Sequence, residues 1–194
     1  MKTADLLFRP GSEYDFYRLD TGEKSVTLRD SFEPPWWLRF TIPADQPGLT
    51  LLSVYQDIHG WLCPVSERRL RQIGAYEFVE VEREEYQGTA IYVPGEVQEG
   101  STWAIDTRGR WTWQNASGAR DQGFWLYRVH GSLLLGRLTI NEVYSEYDDH
   151  GNPPTLFERD EVFDGEGFAG FKDRLVSGWP GVLARKQFLV DKNA

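Results

Sequence analysis

Apolar and polar residues alternate with a period of two through much of the chain. The pattern is densest over residues 101–163, which read as four consecutive antiparallel strands carrying most of the aromatic mass. Residues 101–114 hold two short runs around Asp106-Thr107-Arg108-Gly109, and a positive φ at Gly109 would close them into a hairpin. Trp103 then shares a face with Ile105, and Trp111 with Trp113. Residues 124–130 set Phe124, Leu126, Arg128 and His130 against Trp125, Tyr127 and Val129. Both sides are largely apolar, which predicts a central strand covered on two faces. His130-Gly131-Ser132 is expected to turn the chain into a long run over 133–147, with Gly136 as a bulge. Asp148-Asp149-His150-Gly151-Asn152-Pro153-Pro154 concentrates turn formers. A strand over 155–163 follows, with a mixed Phe157, Arg159, Glu161, Phe163 face.

Upstream, residues 14–19 and 24–29 predict a hairpin. Pro34-Pro35 interrupts pairing, because proline donates nothing to a ladder, and strands over 37–42 and 49–57 come next. Residues 66–73 are expected to be helical, with Ser66 as cap, Glu67 at the positive end of the dipole, Val65 stapled to Leu70 and Gly74 as the stop. Runs over 76–86 and 89–93, separated by Gln87-Gly88, predict two further strands. Glu80, Glu82 and Glu84 share a face of the first, read as a solvated face or protected edge. Phe168, Phe171 and Leu175 recur at helical spacing over 168–177, and residues 183–190 can close the structure as a last strand.

No repeat or linker divides the chain, so one domain over 1–194 is expected. The fold class is all-β: an antiparallel meander closing into a barrel of lipocalin- or calycin-like architecture, with two short helices. Eight tryptophans suit either a large β interior or a pocket for a flat ligand. The net charge of −9 argues against nucleic acid as a partner and leaves a basic protein surface as one that fits. Cys63 is the sole cysteine, the first residues lack the apolar core of a signal peptide, and no apolar run reaches membrane-spanning length. A cytoplasmic protein without a membrane partner is expected.

There is no phosphate-binding glycine loop, nucleophile elbow or Cys-x-x-Cys pair, so no cofactor is expected. Three histidines and one cysteine are too few for a convincing zinc centre, and no metal is expected. In an extended segment Asp57, His59 and Trp61 point the same way, which would let the carboxylate orient His59 for proton transfer. Arg128 and His130 share a strand face, and Glu142, Tyr144 and Glu146 share one on the next strand. Facing inward, Arg128, His130, Glu142 and Tyr144 would bind a polar group or carry acid–base chemistry. Turn chemistry accounts for Asp148, Asp149 and His150.

These residues lead to a barrel enclosing a hydrophobic or aromatic small molecule, with isomerase, cyclase or lyase chemistry as an extension. Trp103, Trp111, Trp113, Trp125 and Tyr127 would shape the cavity, while Arg128, His130, Glu142, Tyr144 and His59 would supply its chemistry. The alternative is an acidic interaction module with a filled core, presenting Trp36, Trp37 and Trp61 to a basic protein. A carbohydrate-binding sandwich is a third reading.

Overall fold

The computed structural model describes residues 1–18, 21–87, 92–164, 167–177 and 190–191 of the 194-residue chain. A four-residue helix α1 (Ala4–Leu7) precedes the hairpin β1 (Glu13–Arg18) and β2 (Lys24–Glu33). Then come β3 (Trp36–Pro43), β4 (Leu49–Ile58), β5 (Trp61–Gln72), β6 (Phe78–Gln87) and the short β7 (Val93–Pro94). The aromatic half is β8 (Thr102–Asn115), β9 (Arg120–Leu134), β10 (Arg137–Asp148), β11 (Thr155–Asp164) and β12 (Gly167–Ser177), with β13 (Val190–Asp191) at the end. The strands form one antiparallel sheet in the order β12-β11-β10-β9-β8-β6-β5-β4-β3-β2-β1-β13, with β7 on β5. Among the described residues β12 and β13 do not pair, so the sheet is not closed. It is nonetheless strongly curled: the Arg39 guanidinium on β3 lies 6.0 Å from the Phe163 ring on β11.

The all-β reading therefore holds, and the two expected helices do not form. Residues 66–72 belong to β5, where they pair with both β4 and β6, and residues 168–177 pair along β11. Residues 66–73 carry helix caps and residues 168–177 a short helical spacing, but the ladder each gains from its neighbouring strands, two for β5 and one for β12, outweighs a short helix; tertiary pairing overrides local propensity. Gln87 ends β6, whereas Gly88 and the expected strand residues 89–91 lie outside the described residues, as do 183–189 of the expected last strand.

Two expected turns are also absent, for one shared reason. β8 runs unbroken through Gly109, and β9 through Gly131; neither glycine has positive φ. Each instead faces an indole across the strand pair: Gly109 opposite Trp125, Gly131 opposite Trp103, and likewise Gly123 opposite Trp111. A Cβ at Gly109 would lie 2.1 Å from Trp125 Cζ2, and one at Gly131 would lie 1.9 Å from Trp103 Cζ2. These glycines give flat rings room to lie against the neighbouring backbone. The β9–β10 turn falls at Leu135-Gly136, where φ is 54° and 72°, so Gly136 turns the chain rather than bulging it.

The inner face carries the main core. Leu6, Leu7 and Phe8 from the N-terminal segment join Phe16, Leu28, Leu62, Val93, Trp111, Trp125, Val129, Leu133, Leu138, Ile140 and Phe163. Leu38, Leu52 and Val54 form a smaller cluster with Phe40, Val65 and Leu70. Among them runs a buried ion pair. Arg39 Nε donates to Asp30 Oδ1 at 2.9 Å, and Arg39 Nη2 donates to Asp30 Oδ2 at 3.2 Å and to the Leu7 carbonyl. Phe124 on β9 stacks on Tyr147 on β10 at 4.5 Å, a cross-strand pair contributing about 0.5–1 kcal/mol. Among the described residues no helix is long and apolar enough to cross a membrane.

Candidate functional site

Period-two geometry decides which side chains enter the curl. On β9 the inward set is Gly123, Trp125, Tyr127, Val129 and Leu133, while Leu126, Arg128 and His130 are exposed. On β10 the inward set is Leu138, Ile140, Glu142, Tyr144 and Glu146. On β11 it is Phe157, Arg159, Glu161 and Phe163. These faces meet Tyr55 from β4, Pro64 and Glu67 from β5, and Glu84 and Tyr86 from β6 around a cavity of about 260 Å³. Trp111, Trp125, Tyr127 and Tyr92 complete the wall. The volume lies near the lower end of small-molecule pockets, which span roughly 300–1,000 Å³.

The cavity is graded from wet to dry. Glu67 is exposed; Glu84, Tyr86, Tyr144 and Glu146 are half-buried; Tyr92, Tyr127, Glu161, Trp111 and Trp125 are buried. At the dry end Tyr127 Oη donates to Glu142 Oε2 at 2.8 Å, and Tyr92 Oη donates to Glu161 Oε2. Arg159 Nη1 stands 3.6 Å from Glu161 Oε1, with its guanidinium 5.1 Å from the Phe157 ring centre. Five carboxylates and one guanidinium thus line a largely aromatic space.

Burial and mutual repulsion act on these acids together. Burial pushes the Glu142 carboxyl up to about 8, and the Glu161 charge adds to the effect against Arg159 and the tyrosine hydroxyls. Glu84 is also pushed up to about 8, by burial first and then by Glu67 and Glu146. Glu146 is raised for the same reasons, with Asp121 its leading charged neighbour. Burial lifts the hydroxyls of Tyr55, Tyr86, Tyr92, Tyr127 and Tyr144, so all five stay protonated donors at neutral pH.

A stability dependence follows with a definite sign. Carboxyls in the unfolded chain titrate near 4.3, so between about pH 4.5 and 8 the folded protein holds protons that the unfolded chain has released. The stabilisation is complete below that window and is lost as pH rises through it, by up to about 1.4 kcal/mol per pH unit for each retained proton. Thermal melts at intervals from pH 6 to 9 should show a falling Tm, with a shallower fall in Glu84→Gln and Glu142→Gln. Parallel slopes in all three proteins would show that neither carboxyl retains its proton.

Of the residues singled out in sequence, Trp111, Trp125, Tyr127, Glu142 and Tyr144 meet at this cavity. Trp103 and Trp113 are half-buried and pack against the core without lining it. Arg128 and His130 point to the opposite side of β9. Arg128 Nε reaches Asp106 Oδ1 at 3.3 Å in an exposed pair, and the cross-strand partner of Arg128 on β10 is Val143, not Glu142. They share a strand with the cavity tryptophan but not its face, because Trp125 and Tyr127 occupy the inward parity. His59 sits with Gly60 in the two-residue β4–β5 turn, at φ 53° and 81°, and Asp57 Oδ1 accepts from the Gly60 N–H at 3.0 Å. That turn splays the Asp57-His59-Trp61 set expected from an extended segment. Cys63 is buried, and burial pushes its thiol up to about 11.

Sequence reasoning passed over Tyr55, Glu67, Glu84, Tyr86, Tyr92, Arg159 and Glu161 as site residues. Glu84 was hidden in an acidic run read as solvated. A register shift between Arg69 and Leu70 moves Glu80 to the side of Arg83, which donates to it at 2.8 Å, and leaves Glu84 inside. The alternation Phe157, Arg159, Glu161, Phe163 was the legible signal for β11, since charged residues on an apolar face need buried partners. Compared with known protein families, curated proteins and solved structures, the chain matches none of them.

Proposed function

We propose that this protein is a small-molecule-binding barrel whose ligand presents a flat or apolar body to the aromatic wall. The observation that carries the reading is the cavity itself, enclosed between β4–β6 and β8–β11 and faced by Trp111, Trp125, Tyr127 and Phe157. Barrel closure is part of the proposal. β13 pairs with β1 and lies beside β12, which is the position a closing strand would take. Glu142 is the cavity group suited to acid–base chemistry on such a ligand, because burial pushes its carboxyl up to about 8 and the Tyr127 hydroxyl orients it. An isomerase or cyclase activity would run through that carboxyl. The single buried cysteine is consistent with a cytoplasmic setting.

Native mass spectrometry of protein purified from its own host tests the binding reading, with denaturing mass spectrometry of what is released. A co-purifying small molecule should be present in the unaltered protein and absent from Phe157→Trp, whose larger ring takes up cavity space. A ligand retained equally by Phe157→Trp, or a protein that emerges without any small molecule, would count against it.

A further inference from the structure

The cavity is charged in a way that its own residues do not balance. At the dry end each carboxylate is engaged: Glu142 by Tyr127, and Glu161 by Tyr92 and Arg159. At the wet end Glu67 and Glu84 are direct cross-strand partners on β5 and β6, and Glu146 approaches both from β10. Glu67 accepts only a long bond from Ser53 Oγ, at 3.4 Å, and no side-chain hydrogen bond reaches Glu84 or Glu146 among the described residues. The Tyr86 and Tyr144 rings stand close enough for all three carboxylates to act on Tyr86 or Tyr144. Deeper in, Trp111 and Trp125 are each 5 % exposed, and neither indole N–H meets an acceptor among the described residues.

Resting on the cavity reading above, we propose that the ligand is an organic cation whose ammonium group lies between Glu67, Glu84 and Glu146, with its apolar body directed inward against Trp111, Trp125 and Phe157. Three features favour this chemistry. Carboxylates flanked by tyrosine and tryptophan faces attract a diffuse positive charge both by Coulomb attraction and through the ring quadrupoles. The wet end leaves the ammonium partly hydrated, so it avoids the full desolvation of a buried ion. Finally, no three His, Cys, Asp or Glu side chains among the described residues converge closely enough to chelate a metal ion, which fits a cation with dispersed charge and apolar bulk. An acceptor atom on the inner part of the ligand would meet the indole N–H groups.

Affinity should depend on pH through the protein. The groups around Glu84 are Glu67 and Arg69 from β5, Tyr86 on its own strand, and Tyr144 and Glu146 from β10, with Asp121 and Asp148 beyond Glu146. Arg69 is held by Glu82 at 3.1 Å. As pH rises through about 8 Glu84 ionises, and a permanently charged ligand should bind more tightly.

The probes are (3-methoxybenzyl)trimethylammonium, which carries a fixed charge and an ether acceptor, and its neutral isostere 3-neopentylanisole, both followed by isothermal titration calorimetry and tryptophan fluorescence. The cation should bind at least tenfold more tightly than the isostere at pH 8.5, and its affinity should rise between pH 6.5 and 9. Glu84→Gln and Glu146→Gln should each lose about tenfold for the cation and leave the isostere unchanged, with near-UV circular dichroism confirming the fold. Equal binding of both probes, or cation binding indifferent to both substitutions, overturns the cationic assignment while the cavity reading stands. Failure of both probes to bind overturns the two together.

Discussion

Gly109→Ala is expected to lower the melting temperature by roughly 2–10 °C, a large effect for the addition of one methyl group. The residue is buried in the middle of β8, directly opposite Trp125, and its added Cβ would lie 2.1 Å from Cζ2 and 2.7 Å from both Cε2 and Cη2 of that ring. Alanine ordinarily stabilises an extended segment by restricting the unfolded chain, by about 0.5–1 kcal/mol, so the steric term has to overcome that gain. It does, because the added Cβ meets three atoms of a rigid indole ring and not the free end of a flexible side chain. Trp125 is 5 % exposed and makes an edge contact with Tyr127 at 5.9 Å, on the floor of the cavity. Overpacking of this kind costs about 1–3 kcal/mol. A double-mutant cycle separates the clash from any general intolerance: Gly109→Ala with Trp125→Phe should cost less than the sum of the two single changes. Strict additivity, or a Gly109→Ala protein that melts with the parent, would remove the socket from the account of this strand pair.

That socket also shows what is legible in such a sequence. The period-two alternation marks residues 101–163 as strand and predicts an all-β fold, because side-chain parity is set by local backbone geometry, but it breaks β8 at Gly109 and ends β9 at His130. Glycine is ambiguous in the same local terms. Gly109 and Gly131 read as turns because a turn and a close approach both call for the absence of a Cβ, and only the strand opposite distinguishes them. The expected turn at Gly151 forms with positive φ, whereas Gly60 and Gly136 turn the chain where an extended segment and a bulge were expected. Ser66 and Phe168 failed as helix signals for a related reason: caps and short helical spacing are local, whereas pairing with β4, β6 and β11 is not.

The site was legible by parity and hidden by register. Glu142, Tyr144 and Glu146 were recognisable as one face of β10, and Trp125 with Tyr127 as one face of β9. Which face of β9 turns inward was not fixed by its sequence, since Phe124 and Leu126 are as apolar as their neighbours. The structure places Arg128 and His130 outside, on the same side as an exposed Leu126. The displaced register between β5 and β6 likewise sent Glu84 inward, away from Glu80. Acidic residues that look like ordinary surface in the sequence become the wall of a cavity once the sheet curls.

The second large effect is expected from Asp30→Ala, which should destabilise the fold by about 3–5 kcal/mol. Asp30 is 2 % exposed and Arg39 8 % exposed; their two hydrogen bonds join β2 to β3 on the inner face. The same carboxylate accepts from the Arg9 N–H at 3.0 Å, while Arg39 donates to the Leu7 carbonyl and lies 4.8 Å over the Phe8 ring. The pair thus fastens the N-terminal segment, with its apolar Leu6, Leu7 and Phe8, onto the sheet. Removing the carboxylate leaves the guanidinium buried without the acceptor it is bonded to, and the Arg9 N–H loses its partner as well. Replacing both ions tests whether the penalty belongs to charge or to shape. Asp30→Leu with Arg39→Met should recover most of the loss, because a well-packed apolar pair avoids the desolvation that a buried ion pair must offset. Chemical denaturation of the two single variants and the double variant measures this directly. If the double variant is as unstable as Asp30→Ala, the hydrogen bonds to Arg9 and Leu7, rather than the balance of charge, hold the N-terminal segment in place.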